Sequence, residues 1–233
     1  MSYSSDEMMA VAAARRLEDG ISCFVGIGLP SKAANLARRT HAPSCVLVYE
    51  SGTIGAKPFH LPLSIGDGEL ADTADSVVSV PEMFAYWLQG RRINAGFLGA
   101  AQIDRHGNLN STVIGDYAAP KVRLPGGGGA PEIALGVENV FVMLRHSRRA
   151  FVRQLDFVTT LGDNVRVVVT DLGILEPRDA ELTLVAVHPG VEVDDVVGET
   201  GWELRVAEDV HETAPPTTEE LAAVRALESK ASH

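Results

Sequence analysis

The chain has 233 residues, 45% hydrophobic, with a formal net charge of −11. That length and apolar content suit a globular chain with a sizeable core rather than a disordered one. The acidic balance weighs against nucleic acid, whose phosphates demand a basic face, and no apolar run reaches the roughly 20 residues that span a bilayer. The N-terminus lacks the basic-then-apolar order of a secretory leader. The two cysteines, Cys23 and Cys45, sit in apolar runs without a CxxC spacing. They suit a reducing cytoplasm and not a zinc site.

In chain order, Ser4-Ser5-Asp6-Glu7 reads as a capping box. It opens a helix whose apolar stripe runs through Met8, Met9, Val11, Ala12 and Leu17 to a stop at Gly20. A strand is expected over 21–25, the tight turn Gly26-Ile27-Gly28-Leu29-Pro30 follows, and Pro30 opens a second helix to about Arg39. The next strand covers 45–49, and the order helix, strand, helix, strand predicts a parallel sheet covered by helices. Residues 51–80 look irregular, which in so long a stretch points to function.

Pro81 starts a short helix carrying Met83, Phe84, Tyr86, Trp87 and Leu88, whose aromatic groups suit a core or an interface. Strands are expected over 95–98, 109–114, 140–143, 166–170 and 182–188, with a helical turn or two within 191–200. Thr217-Thr218-Glu219-Glu220 caps a last helix ending at Lys230, and the acidic stretch before it reads as a tether. The fold class is therefore α/β: an open, mostly parallel sheet with helices on both faces. Residues 1–205 form a single domain, and 206–233 form an acidic tether and C-terminal helix.

Glu50 closes the strand of 45–49 and opens the turn Glu50-Ser51-Gly52. In open α/β sheets ligands bind beyond the carboxyl ends of strands. A carboxylate placed there can act as a base or as a nucleophile that forms a covalent intermediate; it can also be an ordinary turn residue. Four successive glycines, Gly126 to Gly129, stand between Pro125 and Pro131. They suit close approach of backbone to a ligand or presentation of N–H groups to an anion, the alternative being a linker. Gly26-Ile27-Gly28 lacks the third glycine of a dinucleotide fingerprint, Ser31 standing in its place, so Gly28 reads as a turn passing close to substrate. No G-x-S-x-G elbow surrounds Ser51, which excludes that serine-hydrolase arrangement. The cluster Arg145-His146-Ser147-Arg148-Arg149 can bind a phosphate or carboxylate, or be a salt-bridged surface. His188 reads as a hydrogen-bonded structural residue.

Taken in order, Gly26-Ile27-Gly28-Leu29-Pro30, Glu50-Ser51-Gly52, the run Gly126 to Gly129, Val168-Val169-Thr170-Asp171 and Val187-His188-Pro189-Gly190-Val191 resemble the β subunit of a family I CoA-transferase, nearest the glutaconate and 3-oxoadipate types, over residues 5–205. The resemblance implies that Glu50 is the nucleophile of a ping-pong transfer through a glutamyl-CoA thioester. It implies oxyanion and substrate contacts at Gly28, Gly52, Gly127, Gly128 and Gly129, and no metal. It implies no tightly bound cofactor, with coenzyme A as a substrate. It also implies an α-subunit partner in an α2β2 assembly in the cytoplasm.

Succinate-type relatives carry Ser-Glu-Asn-Gly where this chain reads Tyr49-Glu50-Ser51-Gly52, so their substrates do not carry over. A dicarboxylic or oxo acid would need a cation, for which Lys57, Arg123 and Arg145 are candidates. A CoA-thioester hydrolase of the same fold is the alternative enzyme. A non-catalytic ligand-sensing domain is the alternative of another class.

Overall fold

The computed structural model describes residues 2–228. In chain order the elements are α1 (Ser5–Ala14), β1 (Ser22–Phe24), α2 (Leu29–Arg39), β2 (Val46–Val48), β3 (Thr53–Ile54), α3 (Gly68–Asp72), β4 (Ser76–Val77), α4 (Val80–Glu82) and a π-helical turn (Met83–Leu88). They continue with β5 (Ala95–Leu98), β6 (Gln102–Ile103), β7 (Leu109–Asn110), β8 (Val113–Gly115), β9 (Pro120–Arg123), α5 (Ala130–Gly136) and β10 (Asn139–Met143). The last are β11 (Val165–Val169), β12 (Gly173–Arg178), β13 (Glu181–Val187), α6 (Val193–Gly198), β14 (Arg205–Glu212) and α7 (Thr218–Glu228). They gather into two compact units. The first holds the residues up to Phe97, Gly136–Glu138 and those from Pro216 on; the second holds Leu98–Leu135 and Asn139–Pro215.

In the first unit β1 lies between β2 and β5, parallel to both, and β3 and β4 add antiparallel edges. This is the parallel, helix-covered arrangement the element order implies. The capping box at Ser4 forms as read: Ser4 N–H donates to Glu7 Oε2 (2.7 Å) and Glu7 N–H to Ser4 Oγ (3.2 Å). The helix stops at Ala14, short of the expected Gly20, because the next turns tighten through Arg16 N–H to Ala13 O and Leu17 N–H to Ala14 O.

α1, α2 and α7 pack on one another, and Met9, Val11, Leu36, Leu221 and Val224, which they carry, are buried. α7 is capped by Thr217, as its sequence indicates, with Glu220 N–H donating to Thr217 Oγ1 (3.2 Å). Arg15 clamps Glu220 in a fork, both contacts at 2.7 Å, and Arg225 Nε holds Glu7 at 2.6 Å. The end expected at Lys230 lies outside the described residues.

In the second unit β10 and β11 run parallel, β11–β12 and β12–β13 are antiparallel, and β14 returns parallel to β13. Two expectations change here. The strand expected over 109–114 is two strands, β7 and β8, because Asn110 turns the chain: its Oδ1 accepts from Thr112 N–H (3.0 Å) and Val113 N–H (3.3 Å). The expected tether at 206–233 begins instead with β14, which pairs Thr183↔Arg205 and Val187↔Glu212. The charges that suggested a tether are what an edge strand tolerates.

Candidate active site

β2 and β3 form a hairpin, Val48 paired with Ile54. Tyr49 N–H donates to Thr53 O (3.0 Å) and Gly52 N–H to Tyr49 O (2.9 Å), which places Glu50 and Ser51 at the tip. The irregularity expected from residue 51 onward is thus a tight turn at its start. Glu50 is half-buried, and among the described residues nothing donates to or pairs with its carboxylate. Next to it Tyr49 is fully buried. Its hydroxyl lies 3.2 Å from Ser31 Oγ and 3.2 Å from Asn35 Nδ2, both on α2, so the turn is pinned by the residue before the carboxylate. Burial raises the Tyr49 pKa, which keeps the phenol neutral. The side-chain oxygens of Ser51 and Thr53 are buried without a partner among the described residues. Beside an unpaired carboxylate, they leave unspent polar capacity at the same turn.

Gly28 precedes α2 with φ +82, and a side chain there would meet nothing within 4 Å, so the turn opens onto free space. Gly52 differs. It has φ +101, and an added Cβ would stand 2.0 Å from Val78 O. Val78 N–H donates to Gly52 O at 2.9 Å, so the chain itself makes the close approach that the sequence left for substrate.

Gly127, Gly128 and Gly129 lie in the second unit, ahead of α5. Gly128 has φ +50 and open space around it, while Gly127 packs against Thr159 and Pro131. Gly126 N–H is taken by Ser111 O (2.9 Å). Among the described residues no acceptor takes the N–H groups of Gly127, Gly128 or Gly129. The run is therefore a formed loop with free donors rather than a linker.

The three candidate cations each have an engagement: Lys57 pairs with Asp75, Arg123 lies 4.9 Å over the Tyr117 ring, and Arg145 meets Asp171 at 3.3 Å. His146, between Arg145 and Arg148, is buried and stacked on Phe151, centroids 3.7 Å apart. Burial lowers its pKa to about 4. His188 is structural as read: Nε2 donates to Thr170 O (2.9 Å), leaving Nδ1 to accept from Thr213 (2.9 Å).

The aromatic stretch after Pro81 is not the ordinary helix expected. Gln89 N–H donates to Phe84 O and Arg92 N–H to Trp87 O, both at 2.9 Å, the wider π spacing common near functional sites. It buries Met83 and Leu88 and leaves Tyr86 exposed. Both cysteines are buried and free. No group of three or more His, Cys, Asp or Glu among the described residues could hold a metal, and no described helix is long and apolar enough to cross a membrane.

Residues 6–199 match the family model for coenzyme A transferase. The chain belongs to the coenzyme A transferase family. It is 58% identical to the B subunit of the 3-oxoadipate CoA-transferase of Pseudomonas knackmussii, over 98% of this chain and 94% of that protein. It is 36% identical to the B subunit of the glutaconate CoA-transferase of Acidaminococcus fermentans, over 91% and 88% of the two. The crystal structure of glutaconate coenzyme A-transferase from the same organism superposes with a TM-score of 0.89 at 32% identity, covering 96% of this chain and 94% of that one. Family membership accounts for the α/β fold read from the element order.

Proposed function

We propose that the chain is the β subunit of a CoA-transferase that moves coenzyme A between an acyl-CoA and a dicarboxylic or oxo acid of the 3-oxoadipate or glutaconate type. The observation that carries this reading is Glu50: a half-buried carboxylate at a hairpin tip that no group among the described residues engages.

The chemistry follows. A Glu50 oxygen attacks the thioester carbonyl, and collapse of the tetrahedral intermediate expels the CoA thiolate and leaves a mixed anhydride. The thiolate attacks the glutamyl carbon of that anhydride, releasing the first acid as its carboxylate and leaving a glutamyl-CoA thioester. The acceptor carboxylate then runs the two steps in reverse, so the kinetics are ping-pong. Each intermediate carries an oxyanion that needs N–H donors, and the unengaged donors of Gly127, Gly128 and Gly129 suit that task. Gly28 leaves the turn before α2 open for substrate, and Gly52 holds the Glu50 turn from behind.

Coenzyme A enters as a substrate, with no tightly bound cofactor and no metal. The 3-oxoadipate choice is supported by the 58% identity to a CoA-transferase polypeptide of that name. An α subunit supplies the rest of the site in an α2β2 assembly, and the cytoplasm, where acyl-CoA is available, is its place.

Borohydride trapping tests the reading. The chain with its α partner is mixed with an acyl-CoA and reduced, and the peptide carrying Glu50 is weighed. Conversion of Glu50 to its alcohol is expected, together with loss of exchange in Glu50→Ala. An unreduced Glu50 beside steady release of CoA into water would overturn transfer in favour of hydrolysis.

A further inference from the structure

Four glycines in succession bring no side chains with which to hold their own backbone, so the run Gly126 to Gly129 must have its conformation fixed from outside. Donors for an oxyanion are effective only when they are aligned before the charge develops. The far end of the run is tied to α5: Ala130 N–H donates to Gly127 O and Ile133 N–H to Gly129 O, both at 2.9 Å.

At the near end a single residue does the holding. Gly126 N–H donates to Ser111 O (2.9 Å), and Ser111 Oγ donates back to Gly126 O (3.0 Å). Both polar backbone groups of Gly126 are therefore occupied by Ser111. The first bond could be made by any residue at position 111; the second needs a hydroxyl. Ser111 is fixed in turn. Its N–H donates to Thr159 Oγ1 (3.0 Å), which lies 2.7 Å from Thr112 Oγ1, and Thr112 O accepts from Leu124 N–H at 3.0 Å.

Thr159 uses both branches of its side chain. While its hydroxyl takes the Ser111 N–H, its Cγ2 lies 3.2 Å from where a Cβ on Gly127 would stand, so the methyl group supports the loop directly. Its backbone is held by Leu109: Thr159 N–H donates to Leu109 O and Leu109 N–H to Thr160 O, both at 2.8 Å. The contacts thus run from paired backbone through Thr159 and Ser111 to Gly126. They end one residue before the three N–H groups that no acceptor takes among the described residues.

We propose that Ser111 is a positioning residue for the glycine loop, acting with Thr159 to hold Gly126 so that the N–H groups of Gly127, Gly128 and Gly129 stay aligned for the developing oxyanion. This rests on the CoA-transferase reading, in which those groups are the oxyanion donors. Ser111 touches no reacting atom and acts through Gly126. It therefore governs the rate of the acyl step rather than the binding of acyl-CoA.

The test measures CoA exchange and thermal melting of the full chain with its α partner, with Glu50→Ala as the control for transfer itself. Ser111→Ala should lower kcat at least about tenfold, toward the roughly hundredfold that a misplacement of about 1 Å costs, with KM held within about twofold. Ser111→Thr keeps the hydroxyl and should recover most of the loss. If Ser111→Ala does not fold, Thr159→Val carries the test. It removes the acceptor of the Ser111 N–H at nearly constant volume and should lower kcat in the same way, whereas Thr159→Ser should retain most of the rate. In a Gly128→Val background Ser111→Ala should add less than about twofold, because a residue that acts through the loop then has nothing left to align. The proposal is overturned if Ser111→Ala turns over like the natural chain while Glu50→Ala is inactive. It is equally overturned if KM rises while kcat holds, or if the cost multiplies in full onto that of Gly128→Val. Exchange that survives Glu50→Ala defeats the transferase reading instead, and the proposal falls with it.

Discussion

Lowering the pH should destabilise the second unit through one histidine. His146 is buried against Phe151 with Nε2 3.0 Å from Thr200 Oγ1. The Thr200 hydroxyl already donates to Val196 O (2.8 Å), so Nε2 donates to Thr200. Nδ1 lies 3.3 Å from Thr170 Oγ1, whose own hydroxyl donates to Gly173 O at 3.1 Å. Burial on the Phe151 ring disfavours the charged imidazolium.

Burial lowers its pKa from 6.5 to about 4, against the weaker pull of Asp171. The unfolded chain therefore binds the proton first. The contribution of this histidine is complete above pH 6.5, declines as the pH falls, and is gone once the pH passes about 4. The gap corresponds to about 3 kcal/mol, a large part of the roughly 5–15 kcal/mol that holds a domain folded. His188, also lowered by burial, acts in the same sense.

The assay is urea unfolding followed by Trp202 fluorescence in a Trp87→Phe background, so that only the second unit reports. The slope between pH 6.5 and about 4 should shrink in His146→Gln, which separates this group from carboxylates titrating nearby. A midpoint that does not move over that interval, or a His146 proton resonance titrating near 6.5, would refute the reasoning.

Other perturbations probe the two candidate site segments. Gly52→Ala forces a side chain into positive φ and against the Val78 carbonyl; strain and overpacking together should cost about 2–6 kcal/mol, and an unchanged melting temperature would contradict this. Tyr49→Phe removes the hydroxyl between Ser31 and Asn35 and should cost about 1–2 kcal/mol. Because the phenol pins the turn rather than touching substrate, kcat should fall while KM holds, and a change in KM alone would count against that role. Gly128→Val meets open space, so the chain should fold, with a left-handed cost of about 1–2 kcal/mol. Its acyl transfer should slow about a hundredfold, and normal turnover in a single-turnover assay would make the glycine run purely structural.

Much of this was legible from the chain. The capping boxes at Ser4 and Thr217, and the strands around Cys23, Leu47 and Val142, lie where local chemistry puts them, because each depends on neighbours a few residues away. The glycine run and Glu50 stood out for the same reason. What escaped depends on distant partners. β12 contains Pro177, which argues against a paired strand. It is tolerated because β11 pairs only with Ile174 and Leu175, leaving Pro177 beyond the end of that ladder. β14 carries an edge strand's charges and is defined by its pairing with β13. The π-helical turn and the demand of Val78 on Gly52 are backbone approaches that no residue pattern announces.

The clamp of Arg15 on Glu220 joins residues 205 positions apart, and Leu61 N–H donates to Leu227 O at 2.9 Å. The three-helix layer of the first unit therefore lacks a member until the second unit has been synthesised. On the ribosome the apolar faces of α1 and α2 emerge early and wait, while the later unit has every strand it needs before α7 is made. The helical layer of the unit that bears Glu50 is thus completed only by α7, whereas the hydrogen bonds that hold the Glu50 turn itself all lie within residues 31–78.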